Sequence, residues 1–147
     1  MADAEAEKLY REGTDALDRG NTLFALACFE KAVQKDDNPL YNSYLAYCIA
    51  KERGQFQLSV SLCEKAIALE PDRSAHYLNL GRICLMTGKK NDAIRIFRDG
   101  LKNEANKQII AELDRIGTRK PPIISFLKRS NPINKYLGHL LKRIGLR

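Results

Sequence analysis

The sequence predicts an all-α fold: an α-solenoid of three helix-turn-helix units, closed by a C-terminal capping helix and followed by an amphipathic tail helix. Three observations predict it. Glycine recurs at a constant interval of 34 residues, as Gly20, Gly54 and Gly88. Three more columns keep that interval: Ala25, Ser59 and Ala93; Phe29, Cys63 and Phe97; and Ala32, Ala66 and Gly100. The strings around these columns, ALACFEKAVQKDD, SVSLCEKAIALEP and NDAIRIFRDGLKN, place apolar residues at the i, i+3/i+4, i+7 spacing of one helical face.

Each of those helices is the second of a pair. The first helices contain EKLYREGTDALDRG, NSYLAYCIAKERG and YLNLGRICLMTG, and each ends at the recurring glycine. Glycine tolerates the left-handed conformation found just past a helix end. The units therefore span about 6–39, 40–73 and 74–107. Small residues recur where a neighbouring helix must come close. In the second unit one extra residue precedes Gly54. A short helix over about 106–116 follows, with Asn106 as its cap, Ile109, Ile110, Leu113 and Ile116 as an apolar stripe, and Gly117 as its stop. It supplies the capping element that an open array needs. Residues 1–117 form the repeat domain.

The last segment, 118–147, is a different kind of chain. Pro121 and Pro122 forbid a helix through that point. Asn131 and Pro132 then make a helix start. The helix predicted over about 132–145 carries Ile133, Leu137, Leu140, Leu141 and Ile144 on one stripe, with Lys135, His139, Lys142 and Arg143 elsewhere. The protein's net charge of +7 belongs to this end. All 18 acidic residues lie at or before Asp114, so residues 1–114 carry −2 and residues 115–147 carry +9. Phe126, Lys128, Arg129, Tyr136, Lys142 and Arg143 are the tail residues expected to make contacts. Those contacts could be with the repeats themselves, a protein partner, a second copy, an anionic membrane or nucleic acid. A tail folded back on the repeats would shelter both its own stripe and an apolar groove from water.

The helical units resemble the tetratricopeptide repeat family. The third is the closest copy: Tyr77, Leu80, Gly81, Ala93, Phe97 and Gly100 sit at the family's signature positions. The first offers Leu9, Gly13, Ala25, Phe29 and Ala32, and the second Leu45, Ala46, Ser59, Cys63, Ala66 and a closing Pro71. The resemblance implies a superhelix whose concave face, lined by the first helix of each pair, holds a peptide or helix of another protein. By the family pattern the inward residues are Tyr10, Thr14 and Leu17, then Ser43, Tyr47 and Ala50, then Leu78, Arg82 and Leu85. Family members that hold the acidic C-terminus of heat-shock chaperones use Lys, Asn and Arg side chains. The matching places here are Tyr10, Thr14, Tyr44, Ala75 and Asn79, none of them cationic. The expected ligand is therefore apolar or mixed in character.

The remaining composition narrows the function further. No run of apolar residues approaches the length of a membrane span. The acidic start, MADAEAEKLYREG, is unlike a secretory signal, so the expected location is cytoplasmic. Cys28, Cys48, Cys63 and Cys84 show no CxxC pair, and are expected to be reduced core residues rather than metal ligands or disulfides. There is no glycine-rich phosphate loop, HExxH or GxSxG. His76 is expected to be a surface or partly packed residue, and His139 to face solvent. No catalytic residue, cofactor or metal is expected. The sequence points to a scaffold or adaptor, with tethering or self-association through the basic tail as the alternative.

Overall fold

The structure, a computed structural model, describes residues 2–117 together with Arg143. The chain divides into two compact units, Met1–Ile116 and Gly117–Arg147. The tail helix expected over 132–145, and the contact residues Phe126, Lys128, Arg129, Tyr136 and Lys142, lie outside the described residues. Arg143 is helical and exposed.

The first unit is built from α1 (Ala2–Asp18), α2 (Thr22–Lys35), α3 (Pro39–Arg53), α4 (Phe56–Leu69), α5 (Ser74–Met86), α6 (Lys90–Gly100) and α7 (Lys107–Ile116), with no strand among the described residues. Local chemistry sets the ends. Asn21 accepts a hydrogen bond from the Phe24 backbone N–H at 3.1 Å to start α2, and Asn38 accepts from Leu40 at 2.9 Å to start α3, with Pro39 in the first turn. Asn106 caps α7 by accepting from the N–H groups of Gln108 and Ile109 at 2.9 and 3.1 Å. The α5 N-terminus is capped from outside: the Ser74 N–H donates to Glu104 Oε2 at 2.7 Å. Gly20, Gly54, Gly88 and Gly117 all have φ between 65° and 76°, the left-handed region. The extra residue of the second unit is visible here. α3 runs directly into Gly54, whereas Arg19 and Thr87 intervene after α1 and α5.

The first and third pairs each close on one large residue of the second helix. Phe29 and Phe97 are fully buried, and a Cβ on Gly13 or Gly81 would lie only 2.6 or 2.2 Å from the respective ring. The second unit solves the same problem with different volumes. Its ring is replaced by Cys63, and the opposing glycine by Ala46, and both are completely buried in one cluster with Ala50, Leu80 and Ile83. Cluster by cluster, the core runs the length of the array. α3 packs on α2 and α4 and also on α5, so that the first helices stack beside one another. α7 ends the stack by burying Ile109 against Leu78, Ala93 and Phe97, with Leu113 and Ile116 packed around them. Ile110, expected on that stripe, is instead half exposed. It follows Ile109 by about 100° around the helix and so points away from α5 and α6.

All four cysteines are free and buried. Burial pushes their thiol pKa values up, that of Cys48 to about 12. Among the described residues no helix is long and apolar enough to cross a membrane.

Candidate functional site

Stacking the first helices leaves one face of each exposed on the same side of the array. Near their C-terminal ends these faces form an open groove of about 510 Å³. α1 contributes Thr14, Leu17 and Asp18; α3 contributes Tyr44, Tyr47 and Lys51; α5 contributes Arg82, Leu85 and Met86; and α7 contributes Gln108, Glu112 and Arg115. The spacing within each helix is that of a single helical strip. Tyr47 is the aromatic centre. The Arg82 guanidinium lies 5.5 Å from its ring centroid and the Lys51 ammonium 5.9 Å, both within cation–π range. Arg82 Nε donates to Glu112 Oε1 at 2.9 Å, while the other carboxylate oxygen of Glu112 takes Arg115.

Five of the nine sequence-predicted residues line this groove: Thr14, Leu17, Tyr47, Arg82 and Leu85. The other four are placed elsewhere. Ser43, Ala50 and Leu78 are buried between helices, with 0–2% of their surface exposed, and offer nothing to a ligand. The physical reason is crowding. A first helix in the stack is touched by its own partner and by the first helices beside it, so only a narrow strip stays open. In α3 that strip runs through Tyr44, Tyr47 and Lys51, one position away from the expected register. Tyr10 packs its ring at 5.1–6.1 Å from Tyr41, Tyr44 and Phe29, an aromatic cluster joining the first two units. Its burial raises the Tyr10 pKa. Its outer edge borders a separate open recess with Leu40, Glu70, Arg73 and Glu104.

The α7 side of the groove was not anticipated. Gln108, Glu112 and Arg115 follow an i, i+4, i+7 pattern on a face about 100° around the helix from Ile109, Leu113 and Ile116, a polar stripe that the sequence does display. With it the groove becomes more charged than the first helices alone suggest.

A second arrangement also departs from expectation. His76 is not at the surface but fully buried. Its Nε2 lies 3.0 Å from Glu70 Oε1 and its Nδ1 2.9 Å from Ser43 Oγ. A carboxylate can only accept, so Nε2 carries a proton; with the buried ring neutral, Nδ1 accepts from the Ser43 hydroxyl, whose oxygen also lies 3.1 Å from the Leu40 carbonyl. Asn79 Nδ2 in turn donates to Ser43 Oγ at 3.3 Å, while Asn79 Oδ1 is buried without a partner among the described residues. Desolvation lowers the His76 pKa, and the Glu70 carboxylate only partly opposes it. The Ser–His–carboxylate order is one that nucleophilic enzymes use, but here Ser43 and His76 are sealed from solvent. The network instead ties α3 of the second unit to α5 of the third.

Comparison with known proteins agrees with this geometry. Residues 50–113 match the family model described as tetratricopeptide repeat. The second TPR domain of human RPAP3, solved in complex with the HSP70 peptide SGPTIEEVD, aligns with a TM-score of 0.57 and 24% identity, over 81% of this chain and all of that one. The TPR domain of Arabidopsis OM64 aligns at 0.60 and 21%, over 79% and 97% of the two chains. The Sgt2 TPR domain from Aspergillus fumigatus aligns at 0.59 and 20%, over 89% and 93%. The chain thus has the all-α helical-repeat fold of these TPR domains, and its match to the tetratricopeptide repeat family model spans residues 50–113.

Proposed function

We propose that this protein is a non-catalytic adaptor that holds a peptide or helix of a partner protein in the groove between α1, α3, α5 and α7. The observation that carries this reading is Tyr47: an aromatic side chain at the middle of an open groove, flanked by Leu17, Leu85 and Met86 and framed by charges. Such a centre, apolar with a polar margin, is where interface energy concentrates. The RPAP3 domain, solved with a bound peptide, has the same fold. The ligand class differs from an acidic chaperone terminus. Of the places matching the acidic-terminus clamp, Tyr44 and Asn79 are buried, and none of the five is a cation. The ligand expected is a segment with an apolar or aromatic anchor and no cluster of acids.

Selection from a random peptide library followed by calorimetry tests the reading. Tyr47→Ala should weaken selected peptides at least tenfold, in line with about 2 kcal/mol for an aromatic anchor. Leu58→Ala, on an exposed site of α4 outside the groove, should leave them unchanged. Tyr10→Ala is a poor probe, because it breaks an aromatic cluster of the core. Equal binding by the wild type and Tyr47→Ala would reject the groove as the site.

The charge of +9 over residues 115–147 supports a second reading, in which the tail tethers the repeats to an anionic surface or to a second copy. Binding to anionic vesicles or RNA would then fall steeply with salt. Groove binding would respond little.

A further inference from the structure

We propose that Glu112 sets the ligand preference of the groove by occupying the place of a ligand carboxylate. The inference rests on the reading of the groove given above. Glu112 stands on α7, and its carboxylate, with 8% of the residue exposed, faces the strip of α5. One oxygen takes Arg82 Nε at 2.9 Å and the other takes Arg115. Arg82 is itself four-fifths buried and lies over the Tyr47 ring. The guanidinium best placed to meet a ligand at the aromatic centre is therefore already engaged by an internal acid. Charge-assisted pairs of this kind are short and strong, and a second carboxylate gains little from a cation that is already neutralised.

The consequence is selective. An acidic ligand side chain near Tyr47 must either displace Glu112 from Arg82, leaving a largely buried carboxylate with only the exposed Arg115, or sit close to it and be repelled. A neutral or apolar side chain meets neither obstacle. α7 thus has two faces with two roles. Ile109, Leu113 and Ile116 close the core, while Glu112 filters what enters the groove. The cations at this end, Lys51, Arg82 and Arg115, would otherwise favour acids.

The test uses the full-length protein and two labelled probes, the acidic nonapeptide SGPTIEEVD and its neutral amidated counterpart SGPTIQQVN, read by fluorescence anisotropy at low salt. Glu112→Gln keeps the shape and an acceptor oxygen but removes the charge. It should bind the acidic peptide at least tenfold more tightly than the wild type, with little change for the neutral one. Adding Arg82→Gln should abolish the gain. Glu112→Met, which fills the same volume, should show the same direction and guards against one variant that folds poorly. Unfolding midpoints confirm that each variant is folded. No gain in either folded variant overturns the proposal, as does a gain that survives the loss of Arg82. Failure of the groove itself is read separately, from the selected apolar peptides and Tyr47→Ala.

Discussion

His76 is held neutral by burial, with one nitrogen donating to Glu70 and the other accepting from Ser43. Its folded pKa is lowered below the ordinary value of about 6.5, so as pH falls the unfolded chain takes the proton first. The stability contributed by the neutral imidazole is therefore complete above about pH 6.5 and is lost progressively as pH falls toward the folded pKa. The groups facing the ring are Glu70, Arg73 and Glu104 with Ser43, and the Glu104 carboxyl is held below its usual range by the Ser74 N–H, so its own titration lies at more acidic pH. Urea unfolding between pH 7.5 and 5.5 should show a stability that declines on the acid side, and His76→Gln should flatten that slope. A wild-type curve that is level, or that rises toward acid, would refute the assignment. The sequence could not place this residue. His76 and Ser43 are 33 positions apart, and only the stacking of α5 on α3 makes them neighbours.

Within the helix pairs, the repeat columns state volumes rather than residue types. Gly81 faces the Phe97 ring, while Ala46 and Cys63 occupy the same columns in the second unit. Gly81→Ala alone forces its Cβ into a fully buried ring and should cost about 1–3 kcal/mol. Phe97→Cys alone empties the site and should cost about 3–5 kcal/mol. Together they recreate the pairing of the second unit, so the double variant should cost clearly less than the sum of the two, by about 0.5–3 kcal/mol of coupling. Strict additivity in urea denaturation would show that the columns do not act as a pair. This level of organisation was largely legible. Positive φ at the recurring glycines, the Asn106 cap and the small–large alternation all follow from side-chain size and backbone freedom, which sequence records directly. The register of α3 was less legible, because one extra residue before Gly54 shifts which side of the helix stays open, and only the packing of its neighbours settles where that strip runs.

At the scale of the whole repeat unit, function follows from what stacking leaves uncovered. The family pattern pointed to the face that contains Thr14, Leu17, Tyr47, Arg82 and Leu85, but not to the burial of Ser43, Ala50 and Leu78, since exposure in an array depends on two flanking neighbours at once. The contribution of α7 was not legible, because the polar stripe beside its apolar one has meaning only once the groove is closed by Glu112 and Arg115. The account depends most on this groove being where a partner binds. The direct measurement is amide chemical-shift mapping of the isotopically labelled protein on titration with a peptide selected from a random library. The groove account predicts that the largest perturbations cluster on Thr14, Leu17, Tyr47, Lys51, Leu85 and Gln108 and saturate with a single affinity. Perturbations centred on the exposed residues Leu23, Phe24 and Leu58, with the groove silent, would contradict it.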